Sequence, residues 1–253
     1  MNTSIQRGYF SKIAHIWFAE TLCPIQADIS FFYAMTSPNL KCSNYQLCTP
    51  QQTLLTDLTV SINELFSHIN KNTRYEIRRA EKEKIICKYW LAQEIPTHIL
   101  NSFENTYNEM YRAKGLHTKF NRPMVKNYCK NQMILFSVAF SQKKPLVFHS
   151  YIIDKTHARF FYSCSPFRSE PTISALIGRM NRYLHWNDWL YLKNKGIQEY
   201  DWGGITNSPE AKSISQFKRA FGGKEIERYN YIVAHSYLGI LKFLLSKYIP
   251  HCI

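Results

Sequence analysis

The feature that most constrains this chain is the order in which its hydrophobic periodicity changes after residue 85. IICKYWL (85–91) reads as a strand and PTHILNSFENTYNEMYRAKG (96–115) as a helix closed by Gly115. A shorter helix follows Pro123, in MVKNYCKNQ. Three strand patterns come next with no helix between them: MILFSVAF, PLVFHSYIID and ARFFYSCS, joined at the polar turns SQKK and DKTH. Then the period lengthens. EPTISALIGRMNRYLHWNDWLYLKNKG (170–196) is one long helix, with Pro171 near its start and Gly196 after its end. A strand (IQEYDWGGI), a helix (PEAKSISQFKRAFGG), a strand (EIERYNYIVAHS) and an amphipathic helix (YLGILKFLLSKYI, 237–249) complete the chain. Strands joined by tight turns are antiparallel, and strands joined through helices are parallel. The order therefore predicts an α/β (α+β) domain of three layers, with a mixed central sheet flanked by helices.

Upstream, HIWF and ISFFYAM within residues 13–34 read as short strands. Residues 36–52, TSPNLKCSNYQLCTPQQ, read as a loop and TLLTDLTV (53–60) as a strand. One helix is expected over SINELFSHINKNTRYEIRRAEKEK (61–84), with Ser61 as its cap and Glu64 completing a capping box. The division drawn from this is a short β-rich N-terminal segment over 1–60, a reduced first domain or an arm, followed by the main domain over 61–253.

Of 253 residues, 45% are hydrophobic and 15% aromatic, which supports a packed core and excludes wholesale disorder. Lys and Arg number 32 against 18 Asp and Glu, a formal charge of +14. Such a surface attracts anions: phosphorylated precursors, nucleotides, RNA or an acidic membrane face. A lysine-rich proteome explains it as well. The seven cysteines form no CxxC pair, which fits reduced thiols rather than a metal finger. His149, His157 and His185 have no metal-ligand spacing, and no Ser-His-Asp order stands out. The N-terminal MNTSIQRGYFSKIAHIWF is too polar for a signal peptide, so the expected location is cytoplasmic. The C-terminal helix, with Lys242 and Lys247, either closes the core or lies on the inner face of the membrane.

The densest chemistry lies in YDWGGITNSPEAKSISQFKRAFGG (200–223). The pairs Gly203-Gly204 and Gly222-Gly223 flank a helical stretch carrying Phe217, Lys218 and Arg219. Asp201 ends a strand, where carboxylates of mixed sheets face the ligand crevice; an Asp before glycines also caps turns. Arg74, Arg78 and Lys82 are four apart and make a basic stripe suited to phosphates. Interleaved with Glu76, Glu81 and Glu83, the same residues also read as a solvated helix face. By spacing alone, Lys212, Lys218 and Arg219 are an exposed basic face.

Two stretches, HINKNTRYEIRRAEKE (68–83) and EYDWGGI…SISQFKRAFGG (199–223), resemble the FemAB family of aminoacyl-tRNA-dependent transferases, a branch of the GNAT acyltransferases. With the element order, the resemblance covers residues 53–235. It implies a GNAT-like fold for the main domain. It also implies an N-acyltransferase that moves an acyl or aminoacyl group to an amine of a cell-envelope precursor, lipid- or nucleotide-linked, by direct attack. Lys218 and Phe217 would stand at the reaction centre, the lysine stabilising the tetrahedral oxyanion. Asp201 would take a proton from the attacking amine or hydrogen-bond the acceptor. Trp202, Gly203, Gly204, Arg74, Arg78, Lys82 and Arg168 would bind substrate. The donor would be acyl-CoA or aminoacyl-tRNA, with no permanently bound cofactor and no metal. The chain departs from the family in having no long coiled-coil insertion. Where acetyl-CoA enzymes carry a glycine-rich turn it has SPFRSEPTISA, a helix start with Arg168 close by. Two rival readings are an acetyl-CoA-dependent N-acetyltransferase of a nucleotide sugar, and a non-enzymatic domain that binds RNA or anionic lipid through the Arg74 stripe. The oligomeric state is left open.

Overall fold

In chain order the elements are β1 (Asn2–Arg7), β2 (Lys12–Trp17), β3 (Ile29–Met35), β4 (Gln46–Asp57), α1 (Ile62–His68), α2 (Lys71–Glu81), β5 (Ile86–Leu91), α3 (Thr97–Arg112), α4 (Arg122–Lys130), β6 (Ile134–Ser141), β7 (Lys144–Ile153), β8 (His157–Cys164), α5 (Ser174–Asn194), β9 (Glu199–Gly204), α6 (Lys212–Arg219), β10 (Lys224–Ala234) and α7 (Tyr237–Ser246). The computed structural model describes residues 2–7, 11–23, 25–209 and 211–246. They form two compact units, residues 1–53 with 225–253, and residues 54–224.

In the first unit β1 pairs antiparallel with β2, β2 parallel with β3, and β3 antiparallel with β10. Ile16, Phe32, Met35, Tyr231 and Val233 fill its core. Helix α7 seats Phe243 inward, with Lys242 Nζ bonded to Ser11 Oγ at 2.6 Å. Lys247 and the rest of the expected helix, 247–249, lie outside the described residues. The boundary therefore falls at 53/54 rather than 60/61. The last strand and helix, expected in the main domain, belong to the first unit because β10 pairs with β3.

In the second unit the strand order is β4-β9-β8-β7-β6-β5. β5 to β8 are antiparallel neighbours, and β8 with β9 is parallel. The expected mixed sheet is present. Its main core gathers Leu65, Ile77, Tyr151, Trp189, Tyr200, Trp202 and Phe221. The turn that follows α2 is tied to α5 by the Arg179–Glu83 pair, with Nε at 2.9 and 3.0 Å from the two carboxylate oxygens. No helix among the described residues is long and apolar enough to cross a membrane.

Two local expectations are corrected. The loop read over 36–52 is partly strand: β4 begins at Gln46, and its polar first half QLCTPQQT lacks the apolar run that marks a buried strand. The single helix read over 61–84 is two. Ile69 is extended, and Asn70 caps α2 by accepting from the Thr73 N–H at 2.8 Å. The Asn70 N–H donates to Ala220 O at 2.9 Å, so the break has a tertiary partner. At Ser61 the Oγ accepts from Glu64 N at 3.2 Å, one half of the expected box.

The second glycine pair is a packing requirement rather than a plain helix stop. Gly222 and Gly223 have φ of +80° and +113°, and a Cβ on Gly223 would lie 2.5 Å from Leu55 O. Gly223→Ala is expected to destabilise the protein by about 2 kcal/mol or more, combining strain with a clash against backbone. A urea midpoint unchanged from the natural chain would contradict this packing.

Candidate functional site

The parallel register of β8 with β9 pairs His157, Ala158 and Arg159 with Glu199, Tyr200 and Asp201. Beyond that last rung, Phe160–Cys164 and Trp202–Gly204 lie outside the register. The rung is closed by a buried ion pair, Arg159 Nη1 to Asp201 Oδ2. The other carboxylate oxygen, Oδ1, accepts from the Gly203 N–H at 2.7 Å. Gly203 has φ +73°, and a side chain there would face Phe160 O at 3.4 Å and Lys218 Nζ at 3.9 Å. Asp201 does not end its strand as expected: it is the third of the six residues of β9, and its carboxylate accepts from the N–H two residues on.

Helix α6 supplies the lysine. Ser215 and Lys218, three apart, form its buried side, while Lys212 and Ile214 are exposed. Lys218 is only 9% exposed, so it is no part of an exposed basic face. Its Nζ donates to Gly204 O at 2.7 Å. Burial, and next the Arg159 charge, push its pKa down to about 8, and Asp201 offsets part of this. Beside it Phe217 is half-buried, under the guanidinium of Arg182 at 5.4 Å from the ring centre.

Behind Phe217 lies a buried polar group that sequence reasoning missed. His185 of α5 sits among Phe160, Trp202, Phe217 and Phe221, with its ring centre 4.1 Å from that of His149. Burial, then His149, Lys218 and Arg182, hold its pKa well below the ordinary value, so the imidazole is neutral at neutral pH. His149 of β7 places Nδ1 2.8 Å from Asp188 Oδ2 and Nε2 2.8 Å from Asn181 Oδ1. The Tyr151 hydroxyl also donates to Asp188 Oδ2. These residues are 30 or more apart between strand and helix, so no local spacing could reveal them. Ligand atoms of His149, His185 and Asp188 lie within 4.8 Å of one another, close enough for an ion. The chemistry favours a hydrogen-bond network instead. The one carboxylate already receives two donors at one oxygen, and the charges of Lys218 and Arg182 oppose a cation.

Of the residues expected at the site, Lys218, Phe217, Asp201, Gly203 and Gly204 meet at the carboxyl end of β9. Trp202 is corrected: it is fully buried, and its indole N–H is taken by Thr56 Oγ1 at 3.1 Å, so it is core behind the site. Arg74 folds back onto Ser67 O at 2.7 Å, and Arg78 and Lys82 are exposed on α2. Arg168 is exposed in the segment before α5. A cavity of about 820 Å³ lies elsewhere, at the amino end of β9, lined by Asp57, His68, His157, Glu199 and Phe221 among others.

No family model and no curated protein matches the sequence. Solved structures do. FemX superposes with a TM-score of 0.59 at 12% identity, over 82% of this chain and 65% of FemX. The C-terminal domain of a protein assigned as a lysylphosphatidylglycerol synthetase, from Agrobacterium fabrum, gives 0.53 at 13%, over 87% and 72%. L-PGS from Bacillus licheniformis gives 0.52 at 14%, over 87% and 73%. The chain thus shares its fold with FemX and with these two structures.

The burial of Lys218 has a stability signature. Below its folded pKa of about 8 both states carry the proton, and the folded state bears the charge at a cost. Between about 8 and the ordinary 10.5 the unfolded state holds a proton that the folded state has lost, so stability rises with pH across that window. Lys218→Met is expected to stabilise the chain at pH 7, by up to roughly 3 kcal/mol at 1.36 kcal/mol per pKa unit, and to flatten this rise. Urea unfolding at several pH values measures both. A destabilised, equally pH-dependent variant would contradict the assignment.

Proposed function

We propose that this chain is an N-acyltransferase of the FemAB type, moving an acyl or aminoacyl group onto an amine of a cell-envelope precursor by direct attack. The observation that carries the proposal is Lys218: a buried ammonium beside Phe217, where the β8–β9 register ends at the carboxyl end of β9. The shared fold with FemX supports it. The amine nitrogen bonds to the donor carbonyl carbon, and the carbonyl electron pair moves onto oxygen. Lys218 donates a hydrogen bond to that oxyanion in a site screened from water. Collapse expels the donor's sulfur or oxygen leaving group, which carries away the proton lost by the attacking amine. Asp201 stays paired with Arg159 and Gly203 N–H, so its role is to hold the strand end rather than to take a proton.

A phosphate-bearing donor, acyl-CoA or aminoacyl-tRNA, fits the start of α5, whose first turn has no side-chain cap, with Arg168 in the segment before it. The stripe of half-buried Arg74 and exposed Arg78 and Lys82 would meet the phosphates of the same donor. A lipid-linked acceptor fits the neighbours named as lysylphosphatidylglycerol synthetase and L-PGS, and a peripheral membrane contact fits the exposed Leu238, Leu241, Leu244 and Leu245 of α7.

The test is a donor screen by mass spectrometry, with acyl-CoAs and charged tRNAs each offered amine acceptors. Transfer is expected with one donor class, and Lys218→Met is expected to lower kcat by about 100- to 1,000-fold, the loss typical of one oxyanion donor. Transfer at the natural rate in Lys218→Met would overturn the assignment. Silence from both donors, with steeply salt-dependent RNA binding, would favour the binding-domain reading.

A further inference from the structure

Two cations next to Phe217, Arg182 over its ring and Lys218 following it in the chain, have hydrogen-bonding capacity that the protein does not use. The Lys218 ammonium has three N–H donors, and its one hydrogen bond among the described residues goes to Gly204 O. Lys193, in the last turn of α5, shows what a satisfied lysine looks like here: its Nζ meets Leu58 O, Thr59 O and Val60 O at 2.6, 3.2 and 2.8 Å. Arg182 has five N–H donors, and its one hydrogen bond goes to Gly178 O at 2.9 Å. Its guanidinium lies over Phe217, partly buried, which lowers its pKa. Both charges act on the same ring, that of His185.

The charges facing this space do not balance. Lys218 and Arg159 stand against Asp201, which is already paired with Arg159. Arg182 feels Glu76 of α2 electrostatically, without an ion pair between them among the described residues. His185 is neutral. Buried cations with spare donors are stabilised by an anion that can accept several hydrogen bonds at once.

We infer that Arg182 and Lys218 form an anion subsite over Phe217, taking a phosphate or carboxylate group fixed on the substrate. Arg182 grips the group with its planar fork, and Lys218 turns an unused N–H to its inner oxygen. Arg182 is thereby a binding residue that selects anionic substrates. The inference rests on reading this end of β9 as a substrate cleft, and it does not require acyl transfer.

Equilibrium binding of sulfate and of acetate tests it by calorimetry and thermal shift, because neither probe changes charge between about pH 6.5 and 9.5. Sulfate stands for a phosphate group and acetate for a carboxylate; the tighter of the two names the group. Saturable binding is expected at the lower pH, weakening as pH rises through Lys218's value of about 8. Arg182→Gln is expected to weaken it about 10-fold, and Arg182→Lys less, with Lys212→Gln, on the exposed side of α6, unchanged. Lys218→Met should leave weaker binding with no pH dependence. Absence of binding by both anions to the natural chain, or binding that Arg182→Gln and Lys212→Gln weaken equally, would overturn the subsite. Anion binding without any transfer would retain it and remove the acyltransferase reading; transfer with no anion binding would do the reverse.

Discussion

The Arg159–Asp201 ion pair is the contact on which the rest of the site depends. It sits at the last rung of β8 against β9, so it fixes where the two strands stop sharing a register. Its carboxylate also holds the Gly203 N–H, which stabilises the positive φ that only glycine adopts without strain. The chain then turns so that Gly204 presents its carbonyl to Lys218. Because Arg159 neutralises Asp201, the lysine has no carboxylate to itself. Burial therefore lowers its pKa instead of a partner raising it. Removing Asp201 would leave two buried cations and no anion, the costly way to break such a pair.

The second determinant is the anchoring of α5. A helix laid on a sheet by apolar contacts alone is free to settle at several registers, and a buried hydrogen-bond network is not. Asp188 takes donors from His149 and Tyr151 of β7, and Asn181 meets the other nitrogen of His149. His185 and Arg182 lie three and six residues before Asp188, so they are carried on the same helix and placed by the same bonds. One oxygen of Asp188, Oδ1, has no partner among the described residues, and the cluster keeps that desolvation cost while holding the helix.

Much of this was legible in the sequence, for identifiable reasons. The order of strands and helices from β5 to β10 follows from periodicity, since each element there has a strong apolar pattern. The first strand-like half of β4 was not legible, because QLCTPQQT carries no such pattern. The break at Asn70 was masked by apolar residues that continue at helical spacing across it. Of the site, Lys218, Phe217, Asp201 and the first glycine pair were found from their place in one contiguous stretch. His149, His185, Asp188 and Arg182 were not, because strand-to-helix packing brings them together and no local spacing records it. The burial of Lys218 was equally hidden: a lysine three residues after a serine on a short helix reads as solvated until the helix is docked.

The two ends of β9 make different claims to be the working end. The amino end has the volume, about 820 Å³, yet its ionisable lining is mixed: Asp57 and Glu199 against His68, His157 and Lys224. Its glycines are accounted for by close packing on Leu55 and His68. The carboxyl end has an imbalance of buried charge. Volume alone selects for nothing, whereas buried donors without acceptors favour one kind of ligand over another. A fold keeps such donors dry only at a standing cost in stability, and the lowered pKa of Lys218 is the trace of that cost. The proposed chemistry therefore belongs to the end of β9 where the protein is least satisfied, with Phe217 beneath the Arg182 guanidinium and next to Lys218.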